Sequence, residues 1–340
     1  MSGAAERSDR SAAPRGAAAG AARVLVTRAL PEAWLAPLRE AGLTLDLIDQ
    51  DEAPERDELL ARARGATAVW VMLGDGVDAE LLDAAGPELR VVATFSVGYD
   101  HIDLPACRER GVLVANTPEA LTEATADLAM ALLLALARRL SEGEALLRSG
   151  GWQGWGPQQL MGFDLVGARV LVVGPGRIGS AFARRVHAFE AEVHYHGRRP
   201  NPALEEAIGA RFEPDLDAAL VRSDVLSLHA PLTPQTRHLL DARRLRSLPR
   251  GALVVNTARG PLIDEAALVD ALRDGHLGGA ALDVYEREPE VHPGLVPLSN
   301  VVLLPHLGSA TRGTRARMAA LVTDAIRAVL RGERPANLVG

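Results

Sequence analysis

Lysine is absent, so all 37 residues counted as lysine or arginine are arginine. A Schiff base to lysine, a pyridoxal-phosphate anchor and the lysine of a Walker A loop are thereby excluded. Any fixed positive charge in a binding site has to be a guanidinium, which keeps its proton at every working pH and grips a carboxylate through two parallel hydrogen bonds. That property suits a carboxylate ligand. Cysteine is nearly absent as well. Cys107 stands alone, which leaves no intramolecular disulfide and no cysteine-rich metal cluster and fits a reducing compartment, with the cytoplasm as the expected location. Excess positive charge is also missing. With a formal net charge of -7, the chain offers no broad basic field, and neither a nucleic acid nor a membrane is expected as a partner. Long apolar runs are lacking too: the stretch 123–140 has an apolar centre of about ten residues, too short for a bilayer core of about 30 Å, and reads as a buried helix. Residues 1–22 lack the apolar core of about 7 to 15 residues that a secretory signal needs and are expected to be a disordered extension. An organelle transit peptide is the competing reading, since the stretch is rich in Arg, Ser and Ala, but Glu6 and Asp9 count against it.

What is present is a repeating alternation. At 340 residues and about 150 residues per domain, two domains are expected. The runs RVLVT (23–27), LTLDLI (43–48), AVWVML (68–73) and VVATF (91–95) alternate with helix-like stretches and are apolar on both faces. Strands of a parallel sheet covered by helices on both sides have that composition, so the chain reads as α/β. A second series starts with RVLVV (169–173) and continues through EVHYH, VLSLHA, ALVVNTA, GAALDV and VVLLP, with a last helix near 311–331. The second domain is placed at 121–305, inserted between a substrate and catalytic domain formed by 23–120 and 306–340.

After RVLVV come Gly174, Pro175, Gly176, Arg177, Ile178 and Gly179 and then a helical SAFARRVHAF. GxGxxG between a strand and a helix is the dinucleotide signature: the glycines permit a tight turn, close approach of backbone to pyrophosphate and close helix–strand packing. The helix N-terminus offers free N–H groups to the phosphates. Pro175 is the oddity, because it removes one N–H from the loop. At the end of the next strand an acidic residue would bind the ribose diol and an arginine would accept a 2'-phosphate. Gly197, Arg198 and Arg199 stand there, so NADP(H) is expected in preference to NAD(H). Two solvated surface arginines are the alternative.

Three ionisable residues each follow an apolar strand: Arg259 in VVNTARG, Glu288 in DVYEREPE and His306 in VVLLPHLGSAT. The C-terminal ends of strands face the ligand crevice in open α/β sheets. Reducing a 2-keto acid needs a cation to bind the carboxylate and polarise the carbonyl, a general acid working near neutral pH and a neighbour that sets that acid's tautomer and charge. Arg259, His306 and Glu288 are the candidates, in that order.

Taken together, SVGYDHID (96–103), NTPEALTEATADLAMALLLA (116–135), GPGRIG, HAPLTPQTRHL (229–239), NTARG, LDVYEREP and PHLGSAT resemble the D-isomer-specific 2-hydroxyacid dehydrogenase family, from about residue 23 to the C-terminus. The resemblance implies two doubly wound parallel-sheet domains, a flavodoxin-like substrate domain and an inserted Rossmann domain. It implies that Arg259, Glu288 and His306 are the catalytic set, and that the backbone at Val97 and Gly98, with the loop at Leu73 and Gly74, receives the substrate. It further places Thr125, His229, Ala230, Pro231, Thr257, Ala258, Asp283 and Gly308 around the cofactor together with the glycine turn, Arg259 and His306, Asp283 meeting the nicotinamide carboxamide. Ordinary structural roles are open to these: Val97 and Gly98 as a turn, the others as helix contacts, turns, strand ends or caps. Gln in place of Glu288 would have indicated a formate dehydrogenase-like member. A phosphoglycerate dehydrogenase with a regulatory C-terminal domain is not expected, since the chain stops soon after its last helix.

Within the family, GGWQGWGPQQLMGFDL (150–165) and YHGRRP (195–200) look most like the glyoxylate/hydroxypyruvate reductase branch. A D-lactate or broad 2-keto acid reductase is the rival, and a cofactor-sensing corepressor-like binding protein the non-enzyme alternative. The resemblance also implies a homodimer, with Trp152 and Trp155 on an arm reaching toward the partner subunit; a local aromatic cluster is the competing reading. No metal is expected. His194 and His196 alternate on one strand and would need a third ligand to hold zinc.

Overall fold

A computed structural model of the chain describes residues 22–340; the expected disordered extension over 1–22 lies outside the described residues except for Ala22. The described residues form two sheets. The first has the strand order Leu338–Val339, Leu113–Ala115, Val91–Thr94, Ala68–Val71, Arg23–Val26, Thr44–Leu47. Five of its strands run parallel, and the two-residue strand Leu338–Val339 joins the edge antiparallel. Nothing in its composition announces that last strand. It is held instead by Asn337, whose Nδ2 donates to the Asn116 carbonyl at 2.7 Å.

The second sheet has seven parallel strands: Val301–Leu303, Gly279–Leu282, Leu253–Asn256, Val225–Leu228, Arg169–Val173, Glu192–His196, Arg211–Phe212. Its order reverses between Arg169–Val173 and Val225–Leu228, and a ligand crevice forms where neighbouring strands send their connections to opposite faces. The glycine turn follows the first of those two strands. Both sheets are thus the doubly wound parallel architecture read from the apolar runs, one in the flavodoxin-like order and one in the Rossmann order.

Seven of the described helices start where the sequence supplies a side-chain cap. Asp78, Asp103, Asn201, Asp215, Asp241, Asp264 and Thr311 each accept a hydrogen bond from the N–H three residues on, which satisfies one of the orphan donors of a first turn. The apolar stretch near 123–140 is the helix Thr122–Ala137, whose Ala126, Ala129, Leu132 and Leu133 are buried against Val170, Val172 and Val255 of the second sheet. The helix stops at Arg138, and Arg139 (φ 52°) redirects the chain into Leu140–Arg148. The last helix, Arg312–Leu330, returns to the first sheet, where Val322, Ala325 and Ile326 pack on Val24, Val26 and Ala68. No helix among the described residues is long and apolar enough to cross a membrane.

Candidate active site

Arg259 follows the strand Leu253–Asn256, and its loop is wrapped by Asn256. That side chain donates to the Arg259 carbonyl at 2.9 Å and accepts from Ala258 N at 3.0 Å. The guanidinium points across to the first sheet, where Nε donates to Asp100 Oδ1 at 2.9 Å, and one Nη donates to Ala258 O at 2.8 Å. It fills the space a side chain on Gly98 would occupy: a Cβ built there collides with the guanidinium. Gly98 is therefore a glycine of close approach. Its loop is braced from beneath, since Ser96 Oγ donates to the Gly98 carbonyl at 2.6 Å and Asn116 Nδ2 to the Val97 carbonyl at 2.8 Å. Leu73 is half-buried and Gly74 exposed after strand Ala68–Val71; beneath them Asp75 accepts from Thr27 Oγ1 at 2.5 Å, Met72 N at 2.8 Å and Arg28 at 2.9 Å.

His306 and Glu288 meet. Imidazole Nδ1 lies 2.8 Å from Glu288 Oε2, and since an ionised carboxylate only accepts, Nδ1–H donates and Nε2 stays free for a ligand. Glu288 Oε1 accepts from Tyr285 N at 3.0 Å. Burial alone would push the Glu288 carboxyl up, but the His306 hydrogen bond and charge, the Tyr285 N–H and the nearby Arg259 charge together hold it below its ordinary 4.5. The three candidates therefore share one locus. Two backbone features keep them there. Gly260 lies directly on the Tyr285–Glu286 backbone, where any Cβ would clash, and buried Glu265 accepts from Glu286 N at 2.7 Å.

Asp283 is fully buried, and its two oxygens accept from Leu307 N at 2.6 Å and Gly308 N at 2.8 Å. Burial raises its carboxyl, and the two N–H groups and the charge of His306 oppose that rise. Thr125 Oγ1 donates to the Gly308 carbonyl at 3.0 Å. His306 itself has φ 55°, the left-handed region that only a few non-glycine residues occupy.

The glycine turn fits a dinucleotide. A Cβ on Gly174 would stand 2.6 Å from Ala230 N, and one on Gly179 would collide with the Gly174 carbonyl, whereas one on Gly176 meets nothing within 4 Å. The turn is thus closed beneath and open above, as an approaching pyrophosphate requires. Gly176 is the N-cap of the helix Arg177–Ala188, whose first turn starts with Arg177 and Ile178. His229 packs on the Phe182 ring at 5.0 Å and lies 2.8 Å from Ser227 Oγ, and burial lowers its pKa to about 3. It is neutral at working pH. Pro231 follows on the same rim, and Thr257 Oγ1 is buried without a partner among the described residues. Arg198 and Arg199 are exposed and form no ion pair among the described residues, while Arg177 pairs with Glu119 at 3.1 Å. No group of three metal-ligating side chains occurs among the described residues; His194 Nδ1 lies 2.7 Å from Glu213 Oε1, and His196 Nδ1 2.8 Å from the Glu213 carbonyl.

Sequence reasoning missed Asp100. It sits 159 positions from Arg259, and nothing local in SVGYDHID distinguishes a partner for a distant guanidinium from a helix-preceding turn. Glu265 was missed for the same reason.

A family model described as "D-isomer specific 2-hydroxyacid dehydrogenase, NAD binding domain" matches residues 130–308. The glyoxylate reductase of Thermococcus litoralis is 43% identical over 321 residues, covering 93% of this chain and 96% of that protein; that of Thermococcus onnurineus is 44% identical with 93% and 95% coverage. A solved protein from Thermus thermophilus is 49% identical with a TM-score of 0.88, covering 94% of this chain and 100% of that one. An NADPH-dependent glyoxylate/hydroxypyruvate reductase from Sinorhizobium meliloti, solved with NADP and malonate, is 36% identical with a TM-score of 0.82, covering 94% and 97%.

Two outcomes follow from this geometry. Gly98→Ala forces the Arg259 guanidinium aside, so affinity for the small carboxylate oxamate, measured by calorimetry with cofactor present, is expected to fall about tenfold or more; unchanged affinity would refute the close approach. Glu288 has a folded pKa below its unfolded one, so it contributes stability that is complete above about 4.5 and lost as pH falls through the folded value. The gap in urea midpoint between wild type and Glu288→Gln is therefore expected to close as the solution is acidified. A gap independent of pH would contradict the pairing.

Proposed function

The chain belongs to the D-isomer specific 2-hydroxyacid dehydrogenase family, and on that premise we propose that it reduces glyoxylate or hydroxypyruvate, to glycolate or D-glycerate, with NADPH in preference to NADH. The chain is an oxidoreductase with a nicotinamide-dinucleotide binding domain. The observation that carries the reading is the meeting of Arg259, Glu288 and His306 at one locus, at the ends of strands from the second sheet and facing Gly98 of the first. We assign the substrate and catalytic domain to 23–120 with 306–340 and the cofactor domain to 121–305.

In this mechanism the substrate carboxylate is received by the N–H groups of Val97 and Gly98 and by Arg259, beside Leu73 and Gly74. The carbonyls that share peptide planes with these two N–H groups, those of Ser96 and Val97, already accept from Thr117 N at 2.9 Å and Asn116 Nδ2 at 2.8 Å, which aims both planes. Arg259 also polarises the keto oxygen, the electrostatic contribution that usually dominates such steps. A reduced nicotinamide, when bound, supplies hydride to the carbonyl carbon. His306 transfers the proton on Nε2 to the oxygen, while Glu288 holds Nδ1–H and balances the imidazolium charge. Gly174, Gly176, Arg177, Ile178 and Gly179 would hold the pyrophosphate, with His229, Ala230 and Pro231 on the opposite rim. Thr125, Thr257, Ala258, Asp283 and Gly308 would surround the nicotinamide end, and Gly197, Arg198 and Arg199 the adenosine end. The last two support NADPH because they are unpaired guanidiniums where a ribose-binding carboxylate would otherwise stand. The Sinorhizobium meliloti relative is described as NADPH-dependent.

We further read the protein as a homodimer. The helix Leu140–Arg148 buries none of its residues, and Leu147 (61% exposed), Trp155 (84%) and Met161 (66%) leave an apolar surface uncovered. Large apolar side chains left uncovered within one stretch of the chain support an interaction surface there. Sedimentation is expected to give a dimer at micromolar concentration, and a monomer there would end this reading.

The direct test is oxidation of NADPH and NADH against glyoxylate, hydroxypyruvate and pyruvate. The two larger rates are expected with NADPH and the first two acids. Arg259→Ala is expected to lower kcat/KM at least about 100-fold; a loss under tenfold would remove Arg259 from the substrate site.

A further inference from the structure

Pro175 is the residue of the glycine turn that pyrophosphate binding does not explain, since it removes an N–H from the loop. Its ring faces the end of the neighbouring strand. A Cβ on Gly197 would stand 2.7 Å from Pro175 Cδ and 3.0 Å from Cγ, so the backbone at Gly197 lies flat on the ring. The Pro175 carbonyl is engaged as well, accepting from Asn201 Nδ2 at 3.1 Å and from Ser180 Oγ at 3.1 Å, and Asn201 Nδ2 also reaches Ser180 Oγ at 3.2 Å. Asn201 is fixed from its far side. Its Oδ1 caps the helix Pro202–Ile208 by accepting from Leu204 N at 3.2 Å, and its backbone N–H donates to the Tyr195 hydroxyl at 2.7 Å. That hydroxyl donates in turn to Glu205.

The segment carrying Arg198 and Arg199 is therefore held at both ends, by Gly197 and by Asn201, to a single residue of the turn. Long guanidinium side chains lose rotamer freedom when they grip a ligand, and a backbone fixed beforehand spares part of the ordering cost.

We propose that Pro175 and Asn201 form a clamp that holds the Gly197–Arg199 segment against the glycine turn, and that this clamp sets the preference for a dinucleotide bearing a phosphate on its adenosine ribose. The inference rests on reading Arg198 and Arg199 as the receptors of that phosphate. Pro175 and Asn201 are positioning residues, acting through the two arginines.

Calorimetric binding of NADPH and of NADH to the whole protein tests the clamp without relying on turnover. Asn201→Ser keeps a capping oxygen but is too short to reach the Pro175 carbonyl. It is expected to weaken NADPH about fivefold to tenfold, a charged-ligand network losing one or two hydrogen bonds, while NADH stays within about twofold. Gly197→Ala, which collides with the ring, and Pro175→Ala, which removes it, are each expected to weaken NADPH similarly while NADH stays within about twofold. Equal weakening of both cofactors, or Pro175→Ala and Asn201→Ser that leave NADPH affinity unchanged, overturns the clamp. Wild type binding NADPH no tighter than NADH overturns the cofactor reading itself, whereas a preference that persists undiminished in every variant overturns the clamp alone.

Discussion

The site depends on a buried carboxylate that never faces solvent. Asp283 spends its two oxygens on the N–H groups of Leu307 and Gly308, and its own carbonyl accepts from His306 N at 2.9 Å. A loop bound at three consecutive amides has one conformation, and here that conformation puts His306 in the left-handed region, at a cost of about 1–2 kcal/mol. Strain of this kind persists only where the surroundings over-determine it. The return is direction: the imidazole leaves the strand end with Nδ1 on Glu288.

The same logic extends outward. Glu288 and Arg259 lie on consecutive connections of the second sheet, and their backbones touch where Gly260 meets Tyr285 and Glu286. Glu265 adds a hydrogen bond between these connections. The side chains that would handle the substrate are thus carried by loops that constrain one another, which places charges more accurately than three independent loops would. The first sheet would contribute mainly backbone, offered by a loop whose carbonyls are already occupied.

Much of this was legible in the residues. Apolar runs without polar alternation gave both parallel sheets, because a strand covered on two faces has no solvent side to record. GPGRIG between RVLVV and a helical stretch located the turn, and the three charged residues after strands come together in the fold, because strand ends in such sheets open on the crevice. Leu338–Val339 left no signal, since two residues carry no period and their pairing is fixed by Asn337 and Asn116. Asp100 and Asn201 were equally hidden. Each looks locally like an ordinary turn or capping residue, and its second function exists only through a partner that folding brings from elsewhere in the chain. Pro175 was visible as an anomaly, but the ring contact that accounts for it depends on how closely two strand ends approach.

Arg259 and Asp100 belong to different sheets, and their hydrogen bond ties the two halves of the chain directly to each other. Any opening between the two sheets would separate these two side chains. The group that would recognise the ligand is therefore also a fastener, and the hydration of a freed guanidinium and a freed carboxylate enters the energetics of every opening. A substitution at Arg259 that is meant to retune what the cleft accepts would thus also remove a tie between the two halves of the chain.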